Sequence, residues 1–576
     1  MAETVFVIDV ESGNLKSLSN AIKYIGDYDI VFIRNGQDFA EYNDKISKLF
    51  FPGVGNFDHF VHQLYVRELI DPIRSYIESD GDIMGICVGL QAFLTSSEES
   101  PGIKGLGMLN FRLTKFNVDD EYFTSRGLVK SVPHIGWNSV DSIFEGRREL
   151  DDSDSLYSIN RQSSYYFVHS YAAILEDLSL LDSYKEKGWS FGTAKYGSEL
   201  FIACASYKNF LATQFHPEKS GEAGLAILKA FLEGQRNPQN AVPAQIQKGR
   251  AGLTRRIIAC LDVRSNDAGD LVVTKGDQYD VREKDDNGGY QVRNLGKPVE
   301  LATKYYKQGA DEITFLNITS FRESPIKDLP MLEVLRRAAE IIFIPLTVGG
   351  GIKDLVDSVS GEKYPAVAVA DLYFRSGADK VSIGSDAVRI SEEYYASGGV
   401  KTGKTAIEMI SARFGVQAVV ISVDPKRKYI SDPSETTMAV IEITDALKYG
   451  PNGEKYCYYQ VTSQGGRMTH ELGALELCQA CEALGAGEIL LNSIDHDGTN
   501  KGFNFELLIQ VKGAVSIPVI ASSGAGHPVH FKEVFELECC VDAALGAGMF
   551  HRGEYEISVV KNYLNENSEI NVRLST

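Results

Sequence analysis

Cys87 stands in the run Gly85-Ile86-Cys87-Val88-Gly89-Leu90-Gln91, between a strand-like apolar stretch and a helix-like one. Glycines flanking a reactive residue allow a strained turn that projects its side chain, and a helix N-terminus favours the thiolate, the attacking form of cysteine. A thiolate nucleophile needs a base. Gln214-Phe215-His216-Pro217-Glu218 offers an imidazole, with a carboxylate two residues on to fix its tautomer. Cys87, His216 and Glu218 would then form a triad for acyl transfer. The oxyanion produced by attack requires preorganised amides; the turn Pro52-Gly53-Val54-Gly55 can offer one, through Val54 or Gly55, and Val88 the other.

A second constellation lies in the later part of the chain. Ala259-Cys260-Leu261-Asp262-Val263 and Ile421-Ser422-Val423-Asp424-Pro425 each end a β-rich run in an aspartate. Two carboxylates across one site act as general acid and general base when their surroundings separate their pKa values. Small residues that let backbone N–H groups close on phosphate follow other runs: Gly349-Gly350-Gly351, Ser385, Ser523-Gly524 and Ala547-Gly548. Lys275, in a long polar segment, could reach a substrate phosphate. Gly398-Gly399-Val400-Lys401-Thr402-Gly403-Lys404-Thr405 matches a P-loop pattern, but it follows the polar, helix-like Ser391–Tyr395, where a working P-loop follows a buried strand. Nucleotide binding is not expected there. Cys478 and Cys481 form a CxxC with no second pair nearby, so neither a metal nor a cofactor is expected.

The elements that would position these groups divide in two. Residues 1–234 alternate strand-like runs (Val5–Val10, Lys48–Phe51, Asp82–Ile86, Tyr165–His169, Phe201–Ala205) with amphipathic stretches and close on the helical pattern Ala223–Leu232. That alternation predicts an open α/β domain. Residues 235–253 are polar, carry Pro238 and Pro243, and read as a linker. In residues 254–576 eight β-rich runs recur: Arg256–Val263, Glu312–Ile318, Phe343–Val348, Asp379–Ile383, Gln417–Asp424, Glu488–Asp495, Ile517–Ser522 and Val541–Ala547. Helical patterns separate them, as in a (β/α)₈ TIM barrel. The barrel also repeats itself. Gly309-Ala310-Asp311-Glu312-Ile313 returns as Gly485-Ala486-Gly487-Glu488-Ile489, and Ile344-Pro345 ahead of a glycine turn returns as Ile517-Pro518. A two-fold internal repeat puts twin phosphate loops on opposite sides of the mouth, so the ligand would carry a phosphate at each end. Arg256, Glu312, Lys380 and Glu488 fall at the other ends of their strands and by position would plug the floor with salt bridges. Ser265–Gln291, Asp354–Ala370, Arg389–Lys404 and Arg427–Tyr459 are polar, weakly periodic insertions, read as loops.

The chain has 576 residues, enough for two or three domains at roughly 100–200 residues each. It carries a formal charge of −20, which argues against nucleic acid or an anionic membrane as partner. No run approaches the roughly 18 apolar residues of a membrane span, and Thr4–Val10 reads as a strand with no basic presequence ahead of it. A cytoplasmic location is expected. Eight cysteines in so long a chain do not suggest a disulfide framework.

The cysteine elbow, the glycine turn and His216-Pro217-Glu218, in this order, resemble class I glutamine amidotransferases, which release ammonia from glutamine through a thioester. The likeness covers about residues 3–232, including Pro133-His134-Ile135-Gly136-Trp137-Asn138 and Phe167-Val168-His169-Ser170-Tyr171. It implies that Gln91, Ser170 and Tyr171 hold glutamine. The second region resembles the cyclase subunit of the imidazole glycerol phosphate synthase family through Arg256–Val263, Ala378–Ser385, Glu488–Thr499 and Ile517–Gly526. The fused order resembles that family's single-chain eukaryotic members of histidine biosynthesis. The resemblance implies that ammonia made at Cys87 crosses the barrel floor to the bisphosphate PRFAR, yielding imidazole glycerol phosphate and AICAR. It makes Asp262 and Asp424 the acid–base pair and turns the four-charge ring into a gate. Asp497, Gly498 and Thr499 join the substrate site, and Lys219 and Asp379 pair across the domain interface. Both activities then sit in one chain and no oligomer is required. Gly384 departs from bacterial relatives, which carry a side-chain amide near phosphate.

Three alternatives compete. A barrel isomerase acting on the earlier bisphosphate would share the twin loops but consumes no ammonia. A pyridoxal phosphate synthase would need barrel lysines where these strand ends offer aspartates. A non-catalytic, glutamine-sensing module would not need the intact triad.

Overall fold

Runs that are apolar at consecutive positions must be covered on both faces, and helices supply that cover. The computed structural model describes residues 3–11, 14–146, 148–150, 155–237, 252–265, 271–274, 282–284, 290–292, 297–317, 330–356 and 361–574. Residues 238–251 of the expected linker, and Lys275, lie outside these.

The N-terminal half is built on one twisted sheet. Its order is Tyr28–Ile33, Glu3–Ile8, Leu49–Gly53, Ile83–Cys87, Phe210–Thr213, Glu199–Tyr207, Ser190–Tyr196, Ser142–Glu145 and Arg148–Glu149. The first five are parallel and the rest antiparallel. Ser164–His169 leaves this sheet and pairs antiparallel with His134–Ser139. The closing helix runs Gly221–Leu232, two residues longer at its start than the sequence pattern.

The C-terminal half closes eight parallel strands on themselves: Arg256–Ser265, Glu312–Asn317, Leu346–Gly349, Lys380–Ile383, Val419–Ile430, Glu488–Leu491, Val519–Ala521 and Ala543–Gly546. The last pairs with the first and the fourth with the fifth, so no edge remains among them. The repeated Gly309 and Gly485 both have positive φ after a helix and before the second and sixth strands. This is a left-handed turn that glycine makes without a Cβ penalty.

Strand periodicity decides what faces inward. Ile257, Ala259, Leu261 and Val263 pack toward the helices, while Ile258 and Cys260 belong to a small interior cluster with Val420, Leu490 and Ile520. The same alternation turns Arg256 inward at one end of the first strand and Asp262 at the other. Each half also lends to the other's core. Ile135, Trp137 and Tyr166 pack with the barrel, and Phe343 packs with the N-terminal half.

Three insertions read as loops are structured. Asp354–Ala370 holds the pair Leu355–Val356 and Lys363–Tyr364 and the start of the helix Ala366–Ser376. Arg389–Lys404 begins inside the helix Ser385–Ala396. Arg427–Tyr459 begins and ends in a hairpin, because the fifth strand runs on to Ile430 and pairs with Tyr456–Ser463. Their polar surfaces face solvent on one side, which blurs the periodicity. Of Ser265–Gln291, the described part includes Leu271–Thr274 pairing back on the first strand. Among the described residues, no helix is long and apolar enough to cross a membrane.

Candidate functional site

Cys87 ends the strand Ile83–Cys87 and starts the helix Val88–Ala92 at φ 53°, ψ −106°, a strained, positive-φ backbone. Its neighbours must be small. A Cβ on Gly89 would stand 1.9 Å from the Phe51 carbonyl oxygen, and one on Gly85 2.7 Å from the Phe93 ring. Glu218 lies in the turn Pro217–Lys219, and its Oε1 is 2.7 Å from His216 Nδ1. All three side chains are buried. Among the described residues, His216 Nε2 has no hydrogen-bond partner, and Cys87 is among the groups that act on this ring. Burial opposes charge on His216, but Cys87 and Glu218 together outweigh it and hold the imidazole well above its usual pKa. The arrangement is that of a cysteine nucleophile beside an oriented base.

Gly53 lies in register beside Cys87, and a Cβ on it would come within 3.0 Å of Val88 Cβ. The turn carrying Val54 and Gly55 is thus held beside Val88. Gln91 Nε2 donates to the Tyr171 carbonyl at 3.1 Å and to Gln214 Oε1 at 3.3 Å; Gln214 Nε2 in turn reaches Cys87 Sγ at 3.7 Å. Ser170 adjoins this chain of contacts and is buried.

In the barrel, Asp262 and Asp424 stand where the first and fifth strands leave the barrel pairing, ahead of the hairpin extensions that carry them on to Ser265 and Ile430. Burial, then the nearby charge of Asp497, pushes Asp262 up to about 7. Burial also raises Asp424, opposed by Asn492, whose Nδ2 donates to Asp424 Oδ1 at 2.6 Å. Gly350 and Gly351 follow the third strand with positive φ, and Ser385 opens the helix after the fourth. Ser523 and Gly524 follow the seventh with positive φ, and Ala547 and Gly548 begin the helix after the eighth. Asp497, Gly498 and Thr499 follow the sixth. A Cβ on Gly384 would meet only Ser422 Cβ, at 3.9 Å, so that position has room for a side chain and lacks one.

At the floor, Arg256 pairs with Glu312 at 2.9 Å and with Glu488, and Lys380 pairs with Glu312 at 2.8 Å and Glu488 at 2.6 Å. The four are fully buried. Between this ring and the triad lies a cavity lined on one side by His216, Glu218 and Lys219 and on the other by Asp379, Lys380 and Gln417. Lys219 Nζ is 2.7 Å from Asp379 Oδ2, and Asn14 Nδ2 donates to Asp379 Oδ1 at 3.0 Å. Elsewhere between the halves the Trp137 indole donates to the Asp311 carbonyl at 3.1 Å.

Comparison with known proteins gives two family matches, glutamine amidotransferase class-I over residues 6–234 and histidine biosynthesis protein over 256–556. The chain is 55% identical to imidazole glycerol phosphate synthase hisHF of Emericella nidulans, over 98% of both chains. It is 51% identical to the Schizosaccharomyces pombe protein of that name, over 97% of this chain and 98% of that one. It is 48% identical to the chloroplastic one of Arabidopsis thaliana, over 99% and 89%. The chain belongs to the imidazole glycerol phosphate synthase family. It is an enzyme, a bifunctional glutamine amidotransferase and cyclase of histidine biosynthesis.

For a synthase of this family, several residues of interest had no role in the sequence reading. Gln214 was passed over inside the His216 motif, yet it touches Cys87. Asn492 faces Asp424 because it shares the inward phase of Glu488 and Leu490, a signal that strand alternation carries. Tyr166 lines the cavity with a buried hydroxyl that has no partner among the described residues. His134 and His169, 3.3 Å apart, pack beside the Tyr171 segment; burial pushes His169 down to about 3, so it is neutral. The P-loop-like run follows the helix Ser385–Ala396 rather than a strand, and its Thr405 caps the next helix in a reciprocal bond with Glu408.

Proposed function

We propose that the chain hydrolyses glutamine at Cys87 and passes the ammonia to a barrel site that converts PRFAR to imidazole glycerol phosphate and AICAR. The Cys87 thiolate attacks the glutamine carboxamide, Val54 or Gly55 and Val88 steady the oxyanion, and His216 hands a proton to the departing ammonia. Water then releases glutamate from the thioester. Gln91, Ser170 and Tyr171 hold glutamine. The cavity bounded by His216 and Lys380 receives the ammonia, and the ring of Arg256, Glu312, Lys380 and Glu488 gates its entry into the barrel.

In the barrel, Asp262 and Asp424 move protons during ring closure and cleavage. Their surroundings differ, since only Asp424 accepts the Asn492 bond, as an acid–base pair requires. The turns at Gly350–Gly351 with Ser385, and at Ser523–Gly524 with Ala547–Gly548, take the two phosphates, and Asp497, Gly498 and Thr499 complete the site. Lys275 is proposed to reach a phosphate. Residues 1–234 form the glutaminase domain, 235–253 the linker and 254–576 the cyclase domain. The enzyme works in the cytoplasm and requires no second chain.

The observation that carries this reading is a cavity that touches both His216 and Lys380, a member of the ring. The test is to incubate the chain with glutamine and PRFAR and assay AICAR. Absence of AICAR with both glutamine and ammonium salt would refute it.

A further inference from the structure

The hairpin that replaces the expected Arg427–Tyr459 loop sets those two residues directly opposite each other. The Arg427 guanidinium donates to the Tyr459 hydroxyl, at 3.1 Å from Nε, and pairs with Glu506. The Tyr459 hydroxyl donates to Asn504 Oδ1 at 2.9 Å, and Asn504 Nδ2 donates to Ser493 Oγ at 3.0 Å. Asn504 and Ser493 are the two ends of the loop that carries Asp497, Gly498 and Thr499. The Arg427 backbone N–H reaches the same loop at Asp495 Oδ2, 2.6 Å away, and the Ile494 N–H reaches Pro425 O at 3.3 Å.

The network is largely out of water: the Arg427 side chain is 12% exposed. It lies three residues beyond Asp424 on the same strand. The loop it closes also touches the seventh-strand turn, where the Gly502 N–H donates to the Gly524 carbonyl at 2.9 Å. A buried guanidinium bonded to a carboxylate and a hydroxyl fixes geometry better than a lysine, because its planar fork is preorganised.

We infer that Arg427 is a positioning residue of the cyclase, holding the Ser493–Asn504 loop, and with it Asp497, at the barrel mouth beside the strand that bears Asp424. This gives the insertion a purpose: it lengthens the fifth strand far enough to clamp its neighbour's loop. The inference rests on the proposed roles of Asp262 and Asp424. Among the described residues, Asp497 on this loop and Cys260 on Asp262's own strand are titratable groups that interact with Asp262, so displacing the loop changes the field at that carboxyl.

The test uses the full chain with PRFAR and ammonium salt. Arg427→Met should lower kcat about tenfold or more, since small displacements near a reacting centre are costly. The limb of the pH–rate profile belonging to Asp262 should move to lower pH, because the Asp497 charge recedes. Tyr459→Phe should move both in the same direction by less, and Arg427→Lys should restore part of kcat. Wild-type kcat and pH profile in folded Arg427→Met would overturn the inference; if that variant does not fold, the same result in Tyr459→Phe would do so. Asp262→Asn is the separate arm: cyclisation surviving it would overturn the underlying acid–base reading, whereas its loss beside a silent Arg427→Met would reject only the clamp.

Discussion

Gly350 and Gly524 share one backbone angle, φ +94°, and each is pressed against a carbonyl oxygen from the barrel unit before it. The oxygen is that of Asn317, closing the second strand, for Gly350, and that of Gly502, in the loop after the sixth, for Gly524. An added Cβ would stand 2.2 Å from the first and 2.1 Å from the second. The two turns are one device built twice, half a barrel apart.

Gly350→Ala and Gly524→Ala should therefore each weaken one end of a bisphosphate ligand. A left-handed alanine costs about 1–2 kcal/mol before any collision is counted. The KM for PRFAR in the ammonium-dependent reaction should rise about tenfold or more in each variant. Unchanged KM in both would mean that neither turn holds a phosphate.

Cys87→Ala should bring glutamine-dependent AICAR formation to background while the ammonium-dependent rate persists. Glu218→Gln should retain the nucleophile but cut glutamine turnover by about 10²–10⁴, the range for losing a base or its orientation. Glutamine-dependent product unaffected by Cys87→Ala would remove the nucleophile assignment.

Asp262 carries a pH signature. Its pKa in the folded chain, about 7, is above that of an unfolded aspartate, so the folded state binds this proton more tightly. Its contribution to stability is intact below about pH 4 and is lost as pH rises through about 7. Asp262→Asn should then raise the thermal midpoint at pH 8, with no gain below about pH 4, while abolishing cyclisation. Thermal melts across that range check the sign.

Lys380→Met would leave Glu312 and Glu488 with Arg256 as their one partner in the ring. Breaking a buried ion network on one side costs about 3–5 kcal/mol. If the ring is the gate, glutamate released per AICAR formed should also rise above one, as ammonia escapes. A variant that is destabilised but keeps a ratio of one would make the ring purely structural.

Glutaminase turnover should depend on a ligand in the barrel, since ammonia released without an acceptor wastes glutamine. Lys219→Ala, which cuts the 2.7 Å pair with Asp379, should reduce that dependence. Equal glutamate release with and without PRFAR in the wild-type chain would refute the coupling.

Legibility in the sequence followed burial. Runs such as Arg256–Val263 and Gln417–Asp424 were readable because both faces are covered and their apolar residues are consecutive. Tyr28–Ile33 was missed: it is an edge strand, mostly half-exposed, with Asp29 exposed. The hairpin Tyr456–Ser463 with Met468–Gly473 was lost because its second strand is exposed at three of its first four residues. Candidate residues of the proposed site were readable where a motif isolates them, as at Cys87 and His216. Gln214, which touches Cys87, and Asn492, which touches Asp424, are not singled out by a motif and needed the fold to bring each pair together.

Trp137 and Tyr166 lie in the barrel's core and Phe343 in the core of the N-terminal half, so pulling the halves apart would strip large apolar side chains on both sides. The halves are therefore expected to stay associated without the proposed linker, residues 235–253. A protease nick there should yield two fragments that co-elute as one particle, with equal synthesis of the two parts guaranteed by translation and their cohesion by solvent exclusion.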